Sequence, residues 1–160
     1  MLHIKLICVG KLREKYYIEA FREYEKRLGA YCRLECVEIA EQRLPDPPSD
    51  KELAAALERE AAEVLKAVPS DAWLCALCVE GRQLSSEDLA ELIASRENSG
   101  KPKLCFVIGG SYGLSPAVKQ RADLKLSFSS MTFPHHLARV MLAEQIYRGF
   151  KINEGSRYHK

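Results

Sequence analysis

The chain has 160 residues, of which 47% are hydrophobic and 29% are charged, with a formal net charge of +2 at pH 7. This length is sufficient for one domain with a sizeable core, and the composition excludes disordered and collagen-like proteins. No apolar stretch reaches the ~20 residues that span a bilayer, and the opening residues are typical of a strand rather than a secretory signal. We therefore expect a cytoplasmic protein that forms a single domain over residues 1–160.

The charged side chains are distributed unevenly along the chain. Residues 1–50 carry nine basic and nine acidic side chains, whereas residues 115–160 carry eight basic and three acidic ones. A local positive patch is typical of proteins that bind phosphate-bearing partners, although a solvated face on a near-neutral protein gives the same count.

Hydrophobic periodicity predicts alternating strands and helices, bounded by glycine, proline and capping signals. The first half contains a strand at 2–9, a helix at 14–28, a strand at 34–39 and a helix that Ser49 or Asp50 caps and Pro69 ends. The second half contains a buried strand at 72–79 that Gly81 turns, a short helix from Ser86 to near Gly100, a strand at 103–108, a short helix from Ser115-Pro116, a strand at 124–128 and a helix at 134–150.

This alternation predicts an α/β domain with a mainly parallel sheet and helices on both faces. The last helix is apolar almost all the way round, which indicates that it is covered on more than one side. In so short a chain, we expect the second cover to be another subunit.

Ligands of parallel sheets bind at the carboxyl ends of the strands, where three loops qualify. These loops are 80–82, the glycine run 109–113 and the serine-rich loop 129–132. The glycine run is neither a dinucleotide fingerprint nor a phosphate loop, so a tight strand-to-helix turn remains an open interpretation.

Most cysteine and histidine residues of the chain are better explained by packing than by a metal or catalytic site. Cys75 and Cys78 lie inside an apolar strand, so we interpret them as structural thiols and expect no metal site. His135 opens the last helix, where a packing role is the default. Tyr158 and His159 lie on the C-terminal tail, and we expect them to reach a site, on this subunit or a neighbour.

Three motifs in order resemble a known family: FVIGGSYGLSP (106–116), LSFSSMTFPHHLARVMLAEQIYRGFKI (126–152) and the final YHK. They are similar to the small SPOUT-class rRNA methyltransferases, and more narrowly to the ribosomal RNA large subunit methyltransferase H family, which methylates N3 of a pseudouridine. The similarity covers nearly the whole chain, including VGKLREKYY (9–17).

The resemblance implies a deep trefoil knot at the C-terminal end of the sheet, a homodimer packed through the last helix, and S-adenosylmethionine as cofactor. It also implies 23S rRNA of the assembled ribosome as the substrate. By position, the implied cofactor contacts are Leu77, Gly109, Phe128, Ser129, Ser130, Met131, Thr132 and Phe133.

The resemblance further suggests how the transfer is catalysed. We expect Arg139 or His135 to stabilise the anionic base, and Tyr158 and His159 of the partner subunit to hold the base in place. Glu144 is interpreted as orienting Arg148, four residues away, rather than as a base.

The sequence also departs from the family at two positions. Cys78 and Tyr112 stand where the family often has an acidic and a small polar residue respectively. Two alternatives stay open: a SPOUT methyltransferase that acts on tRNA, and a non-catalytic ribosome-binding factor. The adenine-shaped loop FSSMTFPHH argues against the binding factor.

Overall fold

The computed structural model describes residues 1–160, which form five strands and five helices in alternation. In chain order they are β1 (Leu2–Val9), α1 (Lys15–Leu28), β2 (Cys32–Ile39), α2 (Asp50–Ala67), β3 (Trp73–Gln83), α3 (Ser86–Glu97), β4 (Lys103–Ile108), α4 (Pro116–Arg121), β5 (Leu124–Ser127) and α5 (His135–Asn153). None of the helices has the length and apolar character needed to cross a membrane.

The strands form one sheet in the order β2-β1-β4-β3-β5, and all four neighbouring pairs are parallel. One apolar cluster joins the sheet to α1, α3 and α5, and a second cluster on the other face joins it to α2 and α4. The predicted parallel α/β sheet with helices on both faces is confirmed.

Local capping explains where three of the helices begin. Ser49 accepts a hydrogen bond from the Glu52 N–H while the Glu52 side chain accepts one from the Ser49 N–H, a reciprocal pair that starts α2. Ser85 and Asp88 form the same arrangement at α3. The Ser115 hydroxyl caps α4, as its sequence position predicts.

The predicted turn at Gly81 is wrong, because β3 continues through this residue to Gln83. The pairing of β3 with β5 shifts there, so that Leu77 and Arg82 both lie opposite Leu126. A Cβ atom on Gly81 would lie 2.7 Å from the backbone of Lys125 and Leu126. Glycine therefore permits a close strand contact at an irregularity of the sheet rather than a turn.

Helix α5 buries one side against the sheet, through residues such as Leu142, Ile146 and Phe150. Apolar residues on its other side, including Leu137, Val140 and Met141, stay partly exposed within one chain. The core of a single chain thus covers only one side of this helix, although its sequence is apolar almost all the way round.

Candidate functional site

A cavity of about 760 Å³ lies at the carboxyl ends of β3, β4 and β5. Its walls are the end of β3, the glycine loop after β4, and the loop that leads from β5 into α5. Seven of the eight predicted cofactor contacts line it, and Ser130 is the exception. The cavity is bordered by Leu77–Glu80, Ile108–Leu114, Lys119, Leu126–Ser129, Met131–Pro134, His135 and Ala138.

The glycine loop is shaped by close backbone approaches that no side chain would allow. A Cβ atom on Gly109 would lie 2.5 Å from the Gly113 carbonyl oxygen, and Gly113 has φ of +80°. The loop is also held from outside, because the Ser111 N–H donates to Glu41 Oε1 at 3.0 Å. Glu41 lies 70 residues away in the sequence, and sequence analysis missed this anchor.

Two serines fix the loop between β5 and α5. The Ser127 hydroxyl donates to the Ser129 carbonyl oxygen at 2.9 Å, and the Met131 N–H donates to Ser129 Oγ at 3.1 Å. Ser127 is buried, and it was not among the predicted residues. Because the carbonyl and hydroxyl oxygens of Ser129 accept hydrogen bonds within the loop, this residue shapes the wall of the cavity. Met131 is 72% exposed at the rim of the cavity.

His135 is the predicted catalytic residue that lines the cavity. Its Nε2 atom is buried and has no hydrogen-bond partner. Burial, together with the neighbouring His136 and Arg139, lowers the pKa of His135 below its ordinary value of 6.5. The ring is therefore neutral at pH 7, which suits a proton acceptor better than the stabilising cation that the sequence analysis expected.

Arg139 lies one helical turn further along α5 and does not line the cavity. It is 2% exposed, and it donates to Glu38 Oε2 at 2.8 Å and to the Gly10 carbonyl oxygen at 2.9 Å. Both terminal nitrogens are thus engaged with β2 and the turn after β1. The geometry favours a role in positioning these segments.

The tail residues lie away from the cavity of their own chain. The Tyr158 hydroxyl donates to Glu144 Oε1 at 3.2 Å. The guanidinium carbon of Arg148 lies 4.9 Å from the centre of the Tyr158 ring. His159 Nε2 lies 2.7 Å from Glu87 Oε1. Glu144 also accepts hydrogen bonds from Arg148, as predicted.

A groove of about 440 Å³ lies between α3 and α5 and includes Glu144. It shares Leu126, Ser127 and Phe128 with the larger cavity. The tail is therefore held beside a groove that shares three lining residues with the candidate site.

Most of the positive charge counted over 115–160 is already compensated within the fold. Five of the eight basic residues form ion pairs: Lys119, Arg121, Arg139, Arg148 and Lys151. Lys125, Arg157 and Lys160 are exposed and form none, so the sequence patch is only in part a free cationic surface.

The cysteines are all free thiols, and Cys75 is fully buried. Cys78 is partly exposed and lines the cavity, in contrast to the expectation of a buried structural thiol. No group of three or more histidine, cysteine or acidic side chains is arranged to hold a metal ion.

Comparison with known proteins identifies the class to which this fold and cavity belong. Residues 2–159 match the family model described as "Predicted SPOUT methyltransferase", so the chain belongs to the SPOUT methyltransferase family. The solved structure of a probable methylase family protein from Haemophilus influenzae Rd KW20 matches 98% of this chain and 70% of that chain. Its TM-score is 0.55 and its sequence identity 13%, which supports the fold alone.

Closer relatives narrow the assignment. Proteins named Ribosomal RNA large subunit methyltransferase H from Bacillus pumilus (strain SAFR-032) and Clostridium novyi (strain NT) are 46% and 49% identical to this chain. Each match covers 99% of this chain and 100% of the relative. Within the SPOUT class, the chain belongs to the ribosomal RNA large subunit methyltransferase H family.

Proposed function

We propose that this protein transfers a methyl group from S-adenosylmethionine to N3 of a pseudouridine in 23S rRNA of the assembled ribosome, in the cytoplasm. The observation that carries the proposal is the cavity at the carboxyl edge of the sheet, lined by seven of the eight residues that the family resemblance assigns to the cofactor. Full-length similarity to proteins named as rRNA large subunit methyltransferases supports the substrate class.

The residues present fit S-adenosylmethionine. A volume of about 760 Å³ falls within the range of small-molecule sites, and apolar side chains such as Leu77, Phe128 and Phe133 can enclose an adenine ring. Gly109 and Gly110 have no side chains and both line the cavity, so backbone groups of the glycine loop can contact the ligand. When bound, this cofactor supplies an electrophilic methyl group on a positively charged sulfur.

The chain's own contribution is to align the base and remove its proton. Pseudouridine N3 carries an imide proton between two carbonyl groups, and its removal creates the nucleophile. Neutral His135 accepts this proton at the cavity wall, while Arg139 holds the start of α5 against Gly10 and Glu38. Alignment of the reactants alone is worth ~7–11 kcal/mol of barrier.

The proposal includes a homodimer packed through α5, whose partly exposed side carries Leu137, Val140 and Met141. Tyr158 and His159 of the partner subunit would then close the site over the base. It also includes the trefoil knot implied by the family. Its support is the strand order, since the chain passes from one side of β3 to the other between β4 and β5.

A transfer assay with radiolabelled cofactor tests the proposal against its two alternatives. The protein is incubated separately with 70S ribosomes, free large subunits, naked rRNA and tRNA. We expect label on rRNA of assembled particles. Label on tRNA alone would favour the tRNA methyltransferase, and ribosome binding without any label would favour the binding factor.

A further inference from the structure

Residues 11–16 (KLREKY) form a short basic and aromatic segment that covers the turn after β1 and the first two residues of α1. Lys11, Arg13 and Lys15 are exposed, and Tyr16 is 65% exposed despite its large apolar ring. Lys11 and Arg13 form no ion pair, and Lys15 has only a distant contact of 3.8 Å with Glu19. Two of the three cations in this segment are thus unpaired, whereas five of the eight in 115–160 form ion pairs.

Hydrogen bonds to β2 and α5 fix the backbone at the start of the 11–16 segment. The Gly10 N–H donates to the Ile39 carbonyl oxygen at 2.8 Å, and the Gly10 carbonyl accepts from Arg139. The Leu12 N–H donates to Glu38 Oε2 at 3.1 Å, and the Leu12 side chain is buried. Lys11 and Arg13 therefore alternate with anchored residues and project outward from a fixed backbone, which limits the entropy lost when they bind a partner.

The segment adjoins the candidate site. A Cβ atom on Gly10 would lie 3.4 Å from Nε2 of His135, which lines the cavity. Within the segment, the Glu14 carboxylate lies 3.1 Å from Nδ1 of His136, the next residue of α5. A base in the cavity would thus bring the neighbouring nucleotides of its strand close to the exposed cations.

We propose that the 11–16 segment is an RNA-docking surface: Lys11 and Arg13 bind backbone phosphates of the substrate strand, and Tyr16 stacks on an unpaired base. Cations that follow a phosphate backbone beside an exposed aromatic ring are the usual elements of single-strand recognition. This inference rests on the proposed rRNA substrate, and it explains how a chain with a net charge of only +2 can bind RNA locally.

The test measures equilibrium binding of the protein to 70S ribosomes between about 50 and 200 mM KCl at constant Mg²⁺. The variant Lys11→Ala/Arg13→Ala is compared with a matched control, Arg33→Ala/Lys101→Ala. The control removes two exposed cations without ion pairs near the amino ends of β2 and β4, about 20 Å away along the strands.

We expect the Lys11→Ala/Arg13→Ala variant to bind ribosomes more weakly, and its salt slope (log K against log salt) to be shallower by about 2. Tyr16→Ala should weaken binding about fivefold or more with an unchanged slope, since stacking releases no counterions. The affinity for S-adenosylmethionine should be unchanged in all variants.

Two results would overturn the inference. The first is ribosome binding by the Lys11→Ala/Arg13→Ala variant that equals that of the control. The second is a changed molecular mass in solution, which would assign the segment to a subunit interface. Because the readout is binding rather than turnover, a wild-type protein that binds ribosomes without methylating them would refute the proposed function and still leave the docking surface decided.

Discussion

Arg139 in α5 donates a hydrogen bond to Glu38 in β2 at 2.8 Å, across 101 residues of sequence. The arginine side chain is 3% exposed and the glutamate side chain 37%. This ion pair joins the start of α5, which forms one wall of the cavity, to the carboxyl end of β2. Because Arg139 also donates to the Gly10 carbonyl, it joins β2, α5 and the turn after β1.

Breaking this pair should destabilise the fold. In Arg139→Met, Glu38 and the Gly10 carbonyl lose the guanidinium donor, and we expect the free energy of unfolding to fall by about 3 kcal/mol, the lower end for buried pairs because Glu38 is partly solvated. Urea unfolding measures the change. Arg157→Met, at an exposed tail position without an ion pair, should stay within about 0.5 kcal/mol of wild type. Equal stability of the two variants would show that the pair contributes nothing.

Gly109→Ala should abolish binding of S-adenosylmethionine. The added Cβ atom would meet the Gly113 carbonyl oxygen at 2.5 Å, so the glycine loop must open. Calorimetric titration with the cofactor measures the loss. Gly100→Ala is the matched control, because nothing lies within 4 Å of its Cβ position, and it should bind like wild type. Normal affinity in Gly109→Ala would remove this loop from the cofactor site.

His135 should give the transfer reaction its pH dependence on the acid side. Because its pKa lies below 6.5, the ring is a neutral acceptor at pH 7 and becomes protonated, and inactive as a base, as the pH falls through that pKa. His135→Asn should lower turnover about 10²–10⁴-fold and remove the acid limb of the profile. His3→Asn, at the exposed amino end of β1, should change neither. An unchanged acid limb in His135→Asn would exclude this proton acceptor.

Deletion of residues 157–160 should abolish methylation and leave cofactor affinity nearly intact, because Tyr158 and His159 lie outside the cavity of their own chain. Lys160→Ala, which removes only an exposed side chain without an ion pair, is the control and should retain activity.

A mixing experiment then assigns the tail to one subunit or the other. Subunits that lack the tail are combined with Gly109→Ala subunits, and the proposed dimers are allowed to exchange. Activity should return, since an intact cavity now meets an intact tail from its partner. An inactive mixture of exchanged dimers would place the tail's action within one chain.

Local signals explain which parts of the fold could be predicted. Periodicity indicates most of the elements, capping residues mark the starts of α2, α3 and α4, and β1 and β4 have the bounds that the sequence predicts. The prediction at Gly81 was wrong because the sequence alone does not distinguish a glycine in a turn from a glycine at a close contact between strands. Only the approach of β5 distinguishes them.

The site was less accessible to sequence reasoning, because its supporting contacts are long-range. Glu41 holds the glycine loop and Glu38 holds Arg139 from positions 70 and 101 residues away. Charge counting had a similar limit: it favoured residues 115–160, whose cations mostly find partners in the fold, over residues 1–50, where the acidic count concealed the free Lys11 and Arg13.

The most direct test of the account is to locate the transferred methyl group. Methylated 23S rRNA from 70S ribosomes would be digested to nucleosides and to sequence-specific fragments, and both would be analysed by mass spectrometry. We expect one added methyl group, on N3 of a pseudouridine, which is absent after incubation with Gly109→Ala. A methyl group on ribose, on a carbon atom or on another nucleoside would contradict it.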